Sequence, residues 1–237
     1  MKNVLTLLCI GLMGFGLNAQ KVIEKNLDYK GEYIEMNVKF ASEIEVKTWD
    51  KSTVYFKADI TTKDGKFLEA YQLDIDERGN SIVITSEAEP VFKKFQEEWN
   101  RNHPKKKKRY YNTNEWYEFN YVLYVPKNAN FKVSSINGDL SAELIEGDFE
   151  ADLINGDIDI KRYQGDLDLN TINGEIDVKL KNTSVVAETI HGDIYADENL
   201  QLKTTDRHVG QLVKGNFDNA KNSLKLKTIN GNMYLRK

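Results

Sequence analysis

From Ser135 onward glycine returns on a fixed count: Gly138, Gly147, Gly156, Gly165 and Gly174 fall nine residues apart, and Gly192 and Gly210 follow at intervals of eighteen. Between them, short apolar runs alternate with Asp, Glu, Ser and Lys, the period-two pattern of half-buried strands. At a spacing of eighteen the columns become chemically uniform. Ile136, Ile154, Ile172 and Ile190 form one column, and Leu140, Ile158, Ile176, Ile194 and Leu212 form another. Ala142, Ile160, Val178 and Ala196 make a third, with Phe149, Leu167 and Val185 a fourth.

Two architectures accept short strands punctuated by Asn-Gly. A meander of antiparallel hairpins is one, since Asn-Gly is the strongest two-residue hairpin signal. The other is a solenoid in which eighteen residues make one coil, so that residue i lies over residue i+18 and like side chains stack. A meander requires no columns, and a coil corner can vary, as at Thr183, while the coil length stays constant. The period therefore predicts an all-β solenoid of roughly 18-residue coils, with regular repeats over about 135–237. It also predicts that Ile154 lies over Ile136 and under Ile172, with that column inside the core.

The chain before the repeat carries the same alternation in "EYIEMNVKFASEIEVKTWD" and "TVYFKADI", and "AYQLDIDERGNSIVITS" reads as a hairpin around Gly79 and Asn80. The pattern then breaks over about 90–114. Pro90 stands near a helix start and Phe92, Phe95 and Trp99 recur at i, i+3 and i+7, the stripe of a short amphipathic helix. A basic loop, "PKKKKRYYNTNEW", follows before strand character returns.

The first nineteen residues read as an export signal: Lys2, an apolar centre from Val4 to Leu17, and Ala19 as the small residue at a cleavage site. The apolar stretch is shorter than the roughly 20 residues a membrane-spanning helix needs, which favours cleavage and leaves a single domain over 20–237 with no transmembrane span. Cys9 is the only cysteine and lies inside the signal, with Leu8 where lipid attachment wants a small residue. The mature chain thus has no disulfide, thiolate nucleophile or cysteine metal ligand. Losing Lys2 takes the formal charge from -4 to -5, against general nucleic-acid binding. Within this acidic chain, Val91 to Tyr111 carries eight basic residues and two acids, a local +6.

The motifs "SINGDL", "LINGDI", "TINGEI", "TIHGDI" and "TINGNM", with "YVLYVPKNANFKVSS" and "EIEVKTWDKSTVYFKADI", resemble a family of bacterial exported proteins named putative adhesins with β-strand repeats, related to the head GIN domain. The resemblance covers most of the mature chain. It implies a right-handed parallel β-helix, implies little about function, and brings no catalytic residues. The basic insertion departs from the family pattern.

The acids after the glycines, Asp139, Asp157, Glu175 and Asp193, with Asp148 and Asp166 starting a second column, read as solvated corners. A calcium-binding β-roll needs several glycines per nonapeptide, and this repeat has one. Asn137, Asn155 and Asn173 precede glycines, where tolerance of positive φ is useful and stacked amides can bond to each other, with His191 continuing the column. His103 and His208 have no metal-ligand spacing, and no metal or cofactor motif is present. Ser135, Ser141 and Ser184 fall at repeat positions without a nucleophile elbow.

The candidate ligand site is the insertion, where Lys105, Lys106, Lys107, Lys108 and Arg109 adjoin Tyr110, Tyr111, Trp116 and Tyr117. Cations beside aromatic rings suit an anionic polysaccharide, lipopolysaccharide or an acidic surface of another envelope protein. The expectation is a non-catalytic envelope module of the periplasm or cell surface. A carbohydrate-active β-helix enzyme, a lyase or hydrolase, is the alternative.

Overall fold

The computed structural model describes residues 20–104, 116–181, 183–206, 209–216 and 220–237. The predicted export signal with Cys9, the segment 105–115 and His208 lie outside the described residues. The first half of the chain forms β1 (Gln20–Asp28), β2 (Tyr33–Val38), β3 (Phe40–Trp49), β4 (Thr53–Thr62), β5 (Gln72–Asp76) and β6 (Ser81–Glu87). Helix α1 (Glu89–Asn102) follows, then β7 (Tyr117–Pro126), β8 (Ala129–Ala142), β9 (Ile145–Asn155) and β10 (Ile158–Ile160). The remainder is β11 (Tyr163–Gln164), β12 (Leu167–Asn173), β13 (Ile176–Lys179), β14 (Thr183–His191), β15 (Ile194–Ala196), β16 (Lys203–Asp206), β17 (Gln211–Asn216), β18 (Asn222–Asn230) and β19 (Met233–Arg236).

The strands make a large, mixed, mostly parallel sheet in two runs that share one hydrophobic core. In the first run β5, β6, β2, the front of β8, β9, β12, β18, β14, β17 and β16 are successive neighbours. In the second, β1, β4, β7, β3, the back of β8, β10, β13, β19 and β15 follow one another. Pairing is parallel through the middle. It turns antiparallel at β5/β6, at β1/β4/β7 and at β14/β17/β16. Among the described residues, antiparallel strands therefore stand at three of the four outer edges, so the fold is not the uniformly parallel stack that the period alone implies. The predicted hairpin around Gly79 is β5/β6, and Gly79 has φ +76°.

The eighteen-residue register is visible directly. Phe131 pairs with Phe149 and Ile158 with both Leu140 and Ile176. Phe131 and Phe149 stack with ring centroids 4.5 Å apart. Beyond β12 and β13 the spatial order leaves the chain order. Leu167 pairs with Leu224, Leu224 with Val185, Ile176 with Met233, and Met233 with Ile194. The segment Asn222–Arg236 is thus spliced between residues 167–179 and residues 183–196. Leu212, placed by the period above Ile194, instead lies opposite Glu188 in antiparallel β17. The splice is invisible to sequence periodicity because the two coils it separates still differ by eighteen.

The corners explain the motif. A Cβ built on Gly156 would lie 2.1 Å from the Gly138 carbonyl oxygen, on Gly174 2.0 Å from that of Gly156, and on Gly231 1.9 Å from that of Gly174. These glycines are required by close backbone stacking, which no side chain permits. Beneath each corner a buried threonine hydroxyl donates to the neighbouring glycine carbonyl: Thr171 to Gly156 at 3.0 Å, Thr228 to Gly174 at 3.1 Å and Thr189 to Gly231 at 3.1 Å. Leu167, Leu169 and Thr171 share the inner face by strand parity, which puts Ile172 outside.

The predicted inward isoleucine column is thereby corrected. Ile154 and Ile172 are each 39% exposed, and Leu153 and Thr171 hold the interior in their place. The stacking order is as expected and the orientation is not, because strand parity, set by buried Leu153 and by the Thr171 hydroxyl donated to Gly156, turns the column outward. Ile172→Asp is consequently expected to cost no more than about 1 kcal/mol. Leu169→Asp, at a fully buried position of the same strand, is expected to abolish cooperative unfolding, since it buries an unpaired carboxylate. Urea titration of both variants followed by circular dichroism checks the contrast.

Candidate functional site

The predicted binding residues Lys105, Lys106, Lys107, Lys108, Arg109, Tyr110 and Tyr111 lie outside the described residues, and Trp116 lies within them. Trp116 is partly buried, its ring centroid 5.5 Å from that of Phe95, and its carbonyl accepts the Lys63 amide at 2.8 Å. The basic segment is therefore bounded by α1 on one side and by a fixed tryptophan on the other. Trp99, on the last turns of α1, stacks on His103 at 4.6 Å. A shallow hollow of about 180 Å³ lies here, with Lys63, Trp99, His103 and Trp116 on its walls.

Helix α1 starts as its sequence dictates. Pro90 occupies its first turn, where no amide is needed and φ is already helical. Val91 and Phe95 are buried, while Phe92 is half-exposed and turns toward the start of β3. There an irregularity in the β3/β8 register between Phe40 and Glu43 re-aims the strand at its rim. Phe40 and Phe92 meet edge-to-face at 4.7 Å, and Tyr117 closes on Phe92 at 5.0 Å.

These three rings form the wall of a groove of about 370 Å³ between α1 and the sheet. Its polar rim is Glu89, Lys93, Gln96 and Asn137. Burial pushes the Glu89 carboxyl upward, but the hydrogen bond and charge of Lys39, 2.8 Å away, and its own backbone amide outweigh this and hold it below the usual carboxylate value. Lys39 is raised in turn by the same pair. Burial raises the Tyr117 phenol. Deeper in the core, the Tyr121 hydroxyl bridges Ser86 at 2.9 Å and Tyr71 at 3.3 Å, and burial pushes Tyr121 well above the ordinary tyrosine value.

The groove stands at one end of the asparagine column. Asn230 donates its side-chain amide to Asn173 at 2.7 Å, Asn173 to Asn155 at 2.8 Å, and Asn155 to Asn137 at 3.1 Å. The expected amide ladder is present, with Asn230 spliced between Asn173 and His191. None of these asparagines has positive φ, so the ladder itself accounts for the residue type. Asn137 pairs in register with Phe40, which brings the ladder to the aromatic wall.

The acidic columns serve the backbone. Asp139 accepts the amide of Asp157 at 2.9 Å, Asp157 that of Glu175 at 2.7 Å, and Asp148 that of Asp166 at 2.9 Å. Each of these three carboxylates satisfies a backbone N–H eighteen residues on, in the neighbouring strand turn, so the acids are structural as well as solvated.

The residues missing from the sequence reading are Phe40, Glu89, Phe92 as a groove wall, and Asn137 as a terminal donor. Aromatic spacing in α1 signalled the helix, but the partner wall comes from a strand about 50 residues earlier in the chain.

No family model matches the chain, and no curated protein matches it in sequence. Among solved structures it is similar to a putative cell adhesion protein from Clostridium sporogenes, with 14% identity, a TM-score of 0.49, and coverage of 92% of this chain and 99% of that one. A putative lipid binding protein from Parabacteroides distasonis matches at 10% identity and a TM-score of 0.37, over 92% and 97% of the two chains. A putative adhesin from Bacteroides fragilis matches at 10% identity and a TM-score of 0.31, over 91% and 97%.

Proposed function

We propose that this chain is an exported, non-catalytic module of the cell envelope, of adhesion type, built as a right-handed parallel β-helix of roughly 18-residue coils. It binds polyanionic envelope material, acidic polysaccharide or lipopolysaccharide, through Lys105 to Arg109 with Tyr110, Tyr111 and Trp116. The observation that supports the reading is that the described residues on either side of the basic segment in sequence are held against the fold, α1 by Val91 and Phe95 in the core and Trp116 by Phe95 and the Lys63 amide. A local +6 so mounted on an acidic protein draws a polyanion to one place, because the rest of the molecule repels it. The neighbouring rings add short-range contact.

The test is a binding and depolymerisation screen against acidic polysaccharides and lipopolysaccharide at low and high salt. Binding is expected to fall at least tenfold from 50 to 500 mM salt, an order-of-magnitude expectation for several charge contacts. Replacing Lys105 to Lys108 with Ser is expected to abolish it, with the melting temperature nearly unchanged, since exposed charges contribute little to stability. Unchanged binding after that replacement removes the segment from the mechanism. New reducing ends or unsaturated sugars would replace the adhesion reading with a lyase or hydrolase.

A further inference from the structure

Three observations meet at the groove between α1 and the sheet and are not used by the basic segment. First, its wall is aromatic: Phe40, Phe92 and Tyr117 lie within 5.0 Å of one another through Phe92. Second, the groove offers hydrogen-bonding groups of both kinds. Among the described residues the Gln96 amide and the Tyr117 hydroxyl, both lining it, have no hydrogen-bond partner. Third, the asparagine ladder is directional. One side-chain N–H of each of Asn230, Asn173 and Asn155 is donated toward Asn137, whose oxygen accepts and whose own side-chain N–H pair is left for the groove. A chain of amides polarised one way strengthens the donor at its open end.

A ligand for such a site must bring an apolar face to the rings and hydroxyls that both donate and accept around its edge. An acyl chain would leave Asn137, Gln96 and Tyr117 unpaired, which is costly once water is displaced. A phosphate or carboxylate would be drawn by Lys93 but would also meet Glu89, held ionised by Lys39, and would give the rings no apolar partner. A sugar ring satisfies each requirement: its C–H face packs on Phe92 and Tyr117, and its hydroxyls exchange hydrogen bonds with the two amides and the phenol. The volume, about 370 Å³, lies in the range of small-molecule sites.

We propose that this groove is a second binding site, for an uncharged pyranose unit of a glycan chain. It is separate from the polyanion site of Lys105 to Arg109 and does not depend on it. Its contacts are ring packing and neutral hydrogen bonds, so salt leaves it unaffected, whereas salt dissociates a polyanion.

The test is saturation-transfer NMR on the full mature chain with gluco-, manno- and N-acetylglucosamine hexaoses, each at 50 and 500 mM salt. Transfer to ring protons of at least one hexaose, equal at both salts, is the expected result. Phe92→Ala should weaken that hexaose at least tenfold. Gln96→Ala, on the exposed side of α1 where folding is not at stake, should weaken it about threefold, the loss of one neutral hydrogen bond. The Lys105 to Lys108 replacement should leave it unchanged, which separates this site from the one proposed above. No transfer from any hexaose, or binding that survives in both Phe92→Ala and Gln96→Ala, overturns the proposal. So does displacement of the hexaose by high salt or by the lysine replacement. Occupation of the groove by dodecylphosphocholine with no hexaose bound would assign it to lipid instead.

Discussion

Gly231→Ala is expected to lower the stability of the protein by at least about 3 kcal/mol, the upper range of overpacking costs. The added methyl would stand 1.9 Å from the Gly174 carbonyl oxygen and 2.6 Å from its carbon, and the obstacle is backbone, which cannot swing aside as a side chain would. Relief requires the two coils to part at that corner. That breaks the amide bond from Gly174 to Asn230, 3.1 Å, and strands the Thr228 hydroxyl that donates to Gly174. Gly79→Ala supplies the control: φ is +76° and nothing lies within 4 Å of the added atom, so the cost is the left-handed penalty alone, about 1 kcal/mol. Urea midpoints of the two variants at constant slope distinguish the mechanisms. A Gly231→Ala midpoint as close to the parent as that of Gly79→Ala would mean that the glycine column is not sterically enforced.

Deleting residues 222–237 is expected to leave a folded protein with a new strand pairing, rather than an unfolded one. The deleted segment separates two coils that differ by eighteen residues, so once it is gone β14 can close on β12 in the register used elsewhere. Val185 then meets Leu167, Thr189 meets Thr171, and His191 meets Asn173. Stability falls by the share of one coil, about 1–2 kcal/mol on a per-residue basis. Cys9 is the only cysteine in the sequence, so an Asn173→Cys/His191→Cys pair in a Cys9→Ser background is a clean reporter. In the intact protein Asn230 pairs with both positions and holds them two strands apart, beyond disulfide reach. In the shortened chain they become neighbours about 4.8 Å apart and oxidation should link them. A deletion variant that gives no cross-link, or no cooperative unfolding, would show that the eighteen-residue match is not enough to close the gap.

The residues differed in how much they disclosed. Leu140, Ile158 and Ile176 disclosed their stacking completely, because a parallel register repeats like side chains one above another. Asn137, Asn155 and Asn173 disclosed both the ladder and its chemistry. Ile154 and Ile172 misled, since their apolar character says nothing of parity when Thr171 has a buried task of its own. Met233 gave no hint that it belongs between Ile176 and Ile194, because a periodic pattern fixes spacing along the chain and is silent on order in space. Of the candidate sites, the basic segment was legible as composition. The groove was not, for it needs Phe40, Phe92, Tyr117 and Asn137 to converge from four elements.

The splice of Asn222–Arg236 into the middle of the sheet also has a kinetic meaning. A chain is delivered from its N-terminus, so β14 and β15 emerge while the strands that will flank them do not yet exist. What they meet first is the free edge of β12 and β13, matched to them residue for residue. The earliest available pairing is thus a wrong one with the right register, and the native order requires a later segment to displace it. A slow refolding phase, strand exchange at an occupied edge, is therefore expected in stopped-flow refolding of the full chain and should be missing from the chain shortened by residues 222–237.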